Sequence, residues 1–117
     1  MLPAAARMRA RTAFTATVRG GVRAAVPALV VHLDTAPEPA PTQVGFIVTR
    51  SVGGAVVRNR VRRRLRHLIR ERLERLPLGT RVVVRVNPSA AGRSSGQLAA
   101  DLDRALNRAL RQRTGSR

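Results

Sequence analysis

Cysteine is absent from the 117 residues, and so are lysine, tyrosine and tryptophan. Without cysteine there is no disulfide framework, no thiolate zinc site and no thiol nucleophile. Such a chain suits a reducing compartment, and the cytoplasm is its expected location. Phe14 and Phe46 are the only aromatic side chains, so a core has to be assembled from valine, leucine, isoleucine and alanine. No apolar run approaches the roughly 20 residues that span a bilayer. The opening Met1-Leu2-Pro3-Ala4-Ala5-Ala6-Arg7 lacks the charged-then-apolar order of a secretory signal. Acidic residues are scarce too: 6 stand against 23 basic ones, all of them arginine.

What is present points one way. A 44% hydrophobic content is enough for one compact domain, expected to cover residues 1–117. A net charge of +17 opposes compaction by self-repulsion unless a polyanion neutralises it, which makes nucleic acid the expected partner. Arginine in place of lysine, in an alphabet rich in Ala, Val and Gly, reflects base composition as readily as selection. The charge is the informative quantity.

Periodicity divides the chain without repeats or a second domain. Residues 12–19 predict a short helix, with Phe14 and Val18 on one side, Thr12 as N-cap and Gly20-Gly21 as its end. The β-branched run 28–33 predicts a strand, followed by a proline-rich connection and a second strand over 44–49, the two pairing as an antiparallel hairpin. A helix is predicted over 55–76, because Val57, Val61, Leu65, Leu68, Ile69, Leu73 and Leu76 recur at three and four residues. Pro77 and Gly79 end it, and 81–86 reads as a buried strand. After the loop 87–96, Ser94 and Gln97 have capping-box spacing, and Leu98, Leu102, Leu106 and Leu110 line a last helix. Asp101 and Asp103 are expected to complement its dipole rather than hold a metal. Residues 111–117 are expected to fray. The order α-β-β-α-β-α, with room for a short extra strand, gives an α+β fold: one small mixed sheet packed against helices.

The segment with chemistry runs from Arg58 to Arg70. On a helical wheel Asn59, Arg62, Arg63, Arg66 and Arg70 share an arc beside the apolar stripe, and Arg60, Arg64 and His67 take the other flank. Guanidinium groups at three- and four-residue steps can grip successive phosphates bidentately. A solvated face balanced by ion pairs would need carboxylates, yet only Glu71 and Glu74 lie on this helix, and these are expected to pair with Arg70 and Arg75. A DNA-reading helix-turn-helix would put a second helix where Pro77-Leu78-Gly79 and a strand follow. A membrane-surface helix would carry Phe or Trp on its apolar face. Neither DNA nor membrane is therefore expected.

These residues also carry a resemblance. Val44-Gly45-Phe46-Ile47-Val48-Thr49, then Arg50-Ser51-Val52-Gly53-Gly54-Ala55-Val56-Val57, then Arg58-Asn59-Arg60-Val61-Arg62-Arg63-Arg64-Leu65-Arg66 resembles the signature of the bacterial ribonuclease P protein subunit. Arg7-x-Arg9-x-Arg11-x-x-Phe14 before the first helix is similar to that family as well. The resemblance implies an accessory subunit of a ribozyme, in which the catalytic RNA and its Mg2+ cleave the 5′ leader from precursor tRNA. The protein binds both RNAs, and the metal is held mainly by RNA. The fold implied is that of a ribosomal-protein domain, whose βαβ crossover is left-handed against the usual rule.

Residue by residue, the resemblance places Arg50, Arg58, Asn59, Arg60, Arg62, Arg63 and Arg66 against RNA, and Arg70, on the same helical arc, is expected to join them. It places Phe14 along the cleft for the single-stranded leader; Arg9 and Arg11 are expected near the rim of that cleft, and His32 is a candidate to face it. Ser51 stands where a second basic residue is usual, Gly54 where a polar one is common, His32 where Tyr is frequent, and Val18 where another aromatic is frequent. Six scattered acids supply neither a two-metal site nor an acid–base set, so independent catalysis by the protein is not expected. A structural RNA-binding protein of ribosomal type is the other reading, with the same charge and layout.

Overall fold

The computed structural model describes Arg7 and residues 11–115. Its elements run α1 (Arg11–Gly20), β1 (Val22–Ala25), β2 (Leu29–Thr35), β3 (Gln43–Ile47), α2 (Ala55–Arg70), β4 (Thr80–Val86) and α3 (Ser95–Gly115). The strands form one mixed sheet in the order β1-β2-β4-β3. β2 is antiparallel to β1 and β4, while β3 is parallel to β4, so β3, α2 and β4 make the expected βαβ unit.

The expected β2–β3 hairpin does not form, because β4 lies between the two strands. Val82, Val83 and Val84 are each 0% exposed, which only a central strand covered on both faces allows. The proline-rich connection between β2 and β3 is long enough to step past it, and Ala36 N–H donates to the Gly79 carbonyl at 2.8 Å on the way. The short extra strand is β1, which pairs Val22–Ala25 with Leu33–Val30.

Alternation gives the sheet two different faces. Leu29, Val31, Leu33, Val82, Val84 and Val86 join Val61, Leu65 and Ile69 of α2 and Leu98, Leu102 and Leu106 of α3 in the core. The predicted apolar stripes of both helices are buried there. The opposite face takes α1: Phe14 packs over Gly45, where an added Cβ would lie 2.3 Å from the ring. Thr17 anchors the same helix by donating to Asp34 Oδ1 at 3.0 Å. Thr12 lies inside the first turn of α1 rather than capping it, since the helix already begins at Arg11.

Two helix ends differ from the periodicity. α2 stops at Arg70, not at 76, and a 3-10 turn at Leu73–Arg75 follows. Arg72 causes the stop: its guanidinium takes the Leu68 carbonyl at 2.7 Å and grips Asp103 of α3 at 2.6 and 3.2 Å. The Arg72 side chain, held by Asp103, thus takes a carbonyl that continued helix would have used. α3 runs through Gly115, and near that end Arg113 hydrogen-bonds Thr80 and Thr35. At its other end the capping box is complete: Ser94 N–H donates to Gln97 Oε1 at 2.9 Å, and Gln97 N–H donates to Ser94 Oγ at 3.1 Å.

Candidate nucleic-acid interface

The chain enters α2 through a turn that needs glycine. Gly53 has φ +152°, and a Cβ there would meet the Val57 Cβ at 2.9 Å. Gly54 is the N-cap, extended at φ −68°, with open space where a side chain would stand. Arg50 is exposed in the preceding 3-10 turn, where the Thr49 and Ser51 hydroxyls bond each other at 2.7 Å.

From here α2 presents its arginines as predicted. Asn59, Arg60, Arg63 and Arg70 are exposed, and Arg58, Arg62 and Arg66 are half-buried beside the apolar stripe. Arg62 donates to Asn59 Oδ1 at 3.1 Å, which orients both along one arc. Arg64 turns to the other flank and donates to the Arg93 carbonyl at 3.2 Å, tying α2 to the loop before α3. Arg7 joins the arc: it bridges Val44 alongside β3, and its charge, with that of Arg62, adds to burial in lowering the Arg66 pKa below its ordinary value. The Nε atoms of Arg7 and Arg58 are buried with no hydrogen-bond partner. Among the described residues, the ion pairs use Arg72, Arg75, Arg81, Arg93 and Arg104, and none uses an arginine from 50 to 70. Guanidinium groups grouped in this way without carboxylates are able to take an external anion.

Carboxylates elsewhere hold the fold. Asp103 takes Arg72 and Arg75, whose hydrogen bonds and charge pull its pKa below the ordinary value against the effect of burial. Asp101, 2% exposed, takes Arg93 in a bidentate pair at 2.8 and 2.9 Å. Both stand beyond the first turn of α3, so they act as arginine clamps rather than as dipole partners. Glu71 sits 3.9 Å from Arg72 rather than beside Arg70, and Arg75 turns to Asp103 and Asn107.

The second candidate surface is the sheet face under α1. Cross-strand rows set Gly45, Val83, His32 and Arg23 side by side, then Ile47, Arg85, Val30 and Ala25. Phe14, Thr15, Val18, Arg19 and Ile47 line an open groove of about 260 Å³ there. Arg11 starts α1 and is exposed; Arg9 lies outside the described residues. His32 is 5% exposed, and its Nδ1 is buried without a partner. Burial, then Arg23 and Arg85, lower its pKa from 6.5, which favours the neutral ring. Arg19, Arg23, Arg85 and Ile47 were not singled out from the sequence. Arg81, Val83 and Arg85 alternate in phase, so Arg85 was readable; β1, with only four residues, was too short to place Arg23.

The sequence and the fold are both matched among known proteins. The family model described as Ribonuclease P matches residues 2–110. The chain belongs to this family. It is 52% identical to the ribonuclease P protein component of Streptomyces avermitilis over 118 aligned residues, covering 94% of this chain and 96% of that one. The corresponding component from a Nocardioides species is 48% identical, covering 98% and 100%. Among solved structures, a ribonuclease P protein from Staphylococcus aureus superposes with TM-score 0.79 at 22% identity, covering 88% of this chain and 94% of that one. The Thermotoga maritima protein gives 0.76 at 23%, covering 87% and 96%. Those two likenesses establish the fold as that of ribonuclease P proteins. Within that fold, Ser51 bonds Thr49, Gly54 leaves its N-cap position open, and Val18 offers an aliphatic wall to the groove.

Proposed function

We propose that this chain is the protein subunit of ribonuclease P, binding the catalytic RNA through α2 and the single-stranded 5′ leader of precursor tRNA across the groove beside α1. The observation that carries this reading is the α2 arc from Arg58 to Arg70, charged, partly desolvated and without carboxylate partners. Phosphates would complete it, with Asn59 adding a donor and an acceptor. In the groove the leader would lie with a base on Phe14 and its backbone near Arg11, Arg19, Arg23 and Arg85, a mode that holds single strands with little base reading.

The protein's part in the reaction is binding and orientation. Mg2+ supplies the activation of the attacking water and leaving oxygen in metal-dependent phosphodiester cleavage. Asp34, Asp101 and Asp103 are each taken by a different arginine and do not cluster among the described residues, so they do not fit a Mg2+ site. The metal would therefore rest on RNA. The chain would work in the cytoplasm; among the described residues no helix is long and apolar enough to cross a membrane. A structural role of ribosomal type is not favoured by the family match.

The test is reconstitution. The protein alone should cleave no precursor tRNA, and adding it to its cognate RNA at low Mg2+ should restore 5′ processing. An RNA-free preparation that still cleaved would contradict the proposal.

A further inference from the structure

α2 is not the only helix with a one-sided charge. At about 100° per residue, Arg104, Arg108 and Arg111 of α3 fall within one arc of roughly 60°, with Ala100 and Asn107 beside them. All five residues are exposed. The two acids of α3 do not balance this arc. Asp103 faces α2 and holds Arg72 and Arg75, and Asp101 is gripped in a bidentate pair by Arg93, with Arg104 only at 3.4 Å. Arg104 keeps a side chain 57% exposed. Asp101 stands three residues before Arg104, but no carboxylate stands three or four residues from Arg108 or Arg111, and Arg104 and Arg108 are themselves four apart. Dipole complementation accounts for arginines in a last turn but not for Arg104, which sits mid-helix.

Arg108 donates to the Ala25 carbonyl at 3.1 Å, which sets it beside the outer strand β1. The α2 arc lies toward the opposite outer strand, β3, where Arg7 bridges Val44. Strand order β1-β2-β4-β3 separates the two flanks by three strand spacings, roughly 14 Å. An RNA segment seated along the α2 arc would thus leave the α3 flank to a second segment.

We propose that Arg104, Arg108 and Arg111 form a second RNA-binding face, which takes the phosphate backbone of a base-paired segment. Charge complementarity selects the partner. Three guanidiniums on a rigid helix, without aromatic side chains for stacking, suit the regular backbone of a duplex rather than splayed single-stranded bases. A membrane is disfavoured because the apolar side of α3 is buried in the core and has nothing to insert. The proposal rests on the RNA-binding reading of the chain given above.

The experiment compares the parent with Arg104→Gln/Arg108→Gln/Arg111→Gln and with the α2 variant Arg63→Ala/Arg66→Ala. Each is titrated, as the full chain, with the catalytic RNA and with an unrelated RNA hairpin across a salt series. The triple variant should weaken binding to both RNAs and flatten the log–log salt slope by about 2.1 to 2.7, taking 0.7 to 0.9 per phosphate. Arg111→Gln alone, should the triple variant not fold, should flatten it by about 0.7 to 0.9. Parental affinity and slope in the α3 variants, with loss in the α2 variant, would overturn this proposal and leave the RNA reading standing. If the parent itself bound neither RNA with any salt dependence, the RNA reading would fall with it. Loss of binding to phosphatidylglycerol vesicles, with RNA binding intact, would assign the face to a membrane and overturn the proposal.

Discussion

Arg72, Arg81 and Arg93 do the opposite work to Arg62, Arg63 and Arg66, although the residue type is the same. The first three are each bidentate to an aspartate, drawn from Asp103, Asp34 and Asp101, and each pair joins segments far apart in sequence or pins a loop to α3. The second three stand on one helix without a carboxylate, and burial with neighbouring charge leaves Arg66 below its ordinary pKa. Arg72 and Arg81 are raised above theirs, in both cases chiefly by the hydrogen bond to the aspartate. With six acids in the chain, the fold uses three of them as clamps, and the remaining positive charge is left for a partner.

The comparison breaks most visibly if a clamp is removed. Arg93→Ala leaves the carboxylate of Asp101, 2% exposed, with only Arg104 at 3.4 Å. Stability should fall by about 3 kcal/mol, the usual result of stranding a buried charge. Urea unfolding measures this; a loss below about 1 kcal/mol would mean that water reaches Asp101 and the clamp is unimportant.

The groove should give a smaller effect. Phe14→Ala should weaken binding of leader-bearing precursor tRNA by about 1–3 kcal/mol, the range for one stacked base. Mature tRNA should be affected much less. Equal losses on both RNAs would reassign Phe14 to packing against Gly45, which the ring already contacts.

Local pattern and tertiary contact divide what the sequence could disclose. The stripe from Val61 to Ile69, the strand around Val82–Val84 and the Ser94–Gln97 box are properties of neighbours in sequence, and all were legible. The place of β4 between β2 and β3 was not, because strand order depends on which edges meet. Arg72 ends α2 by reaching Asp103, 31 residues away, and no periodicity reports such a contact. The α2 arc was readable because exposure on a helix follows from its angle; the clamps were not, since the same Arg and Asp letters serve either role.

Proton linkage should give the smallest effect on stability. His32 has a folded pKa below its unfolded value of 6.5, so the unfolded chain binds more protons in that window. Its contribution is therefore fully present above pH 6.5 and should decline as pH falls from there through the lowered folded pKa. Unfolding free energy measured from pH 7.5 to 5 should show this slope in the parent and lose it in His32→Gln. An unchanged slope in the variant would place the titration elsewhere.

The central claim is that the arginines of the α2 arc bind phosphate and do not hold the fold. Its most direct measurement is RNA affinity against salt for Arg63→Ala/Arg66→Ala, with thermal unfolding of the same protein. Alanine favours the helix and relieves like-charge repulsion, so stability should stay within about 1 kcal/mol of the parent or rise slightly. The log–log salt slope should flatten by about 1.4 to 1.8, for two phosphates at 0.7 to 0.9 each, with affinity lowered across RNA sequences alike. A double variant with the parental slope and affinity would mean that the arc is a solvated face, and would contradict the account.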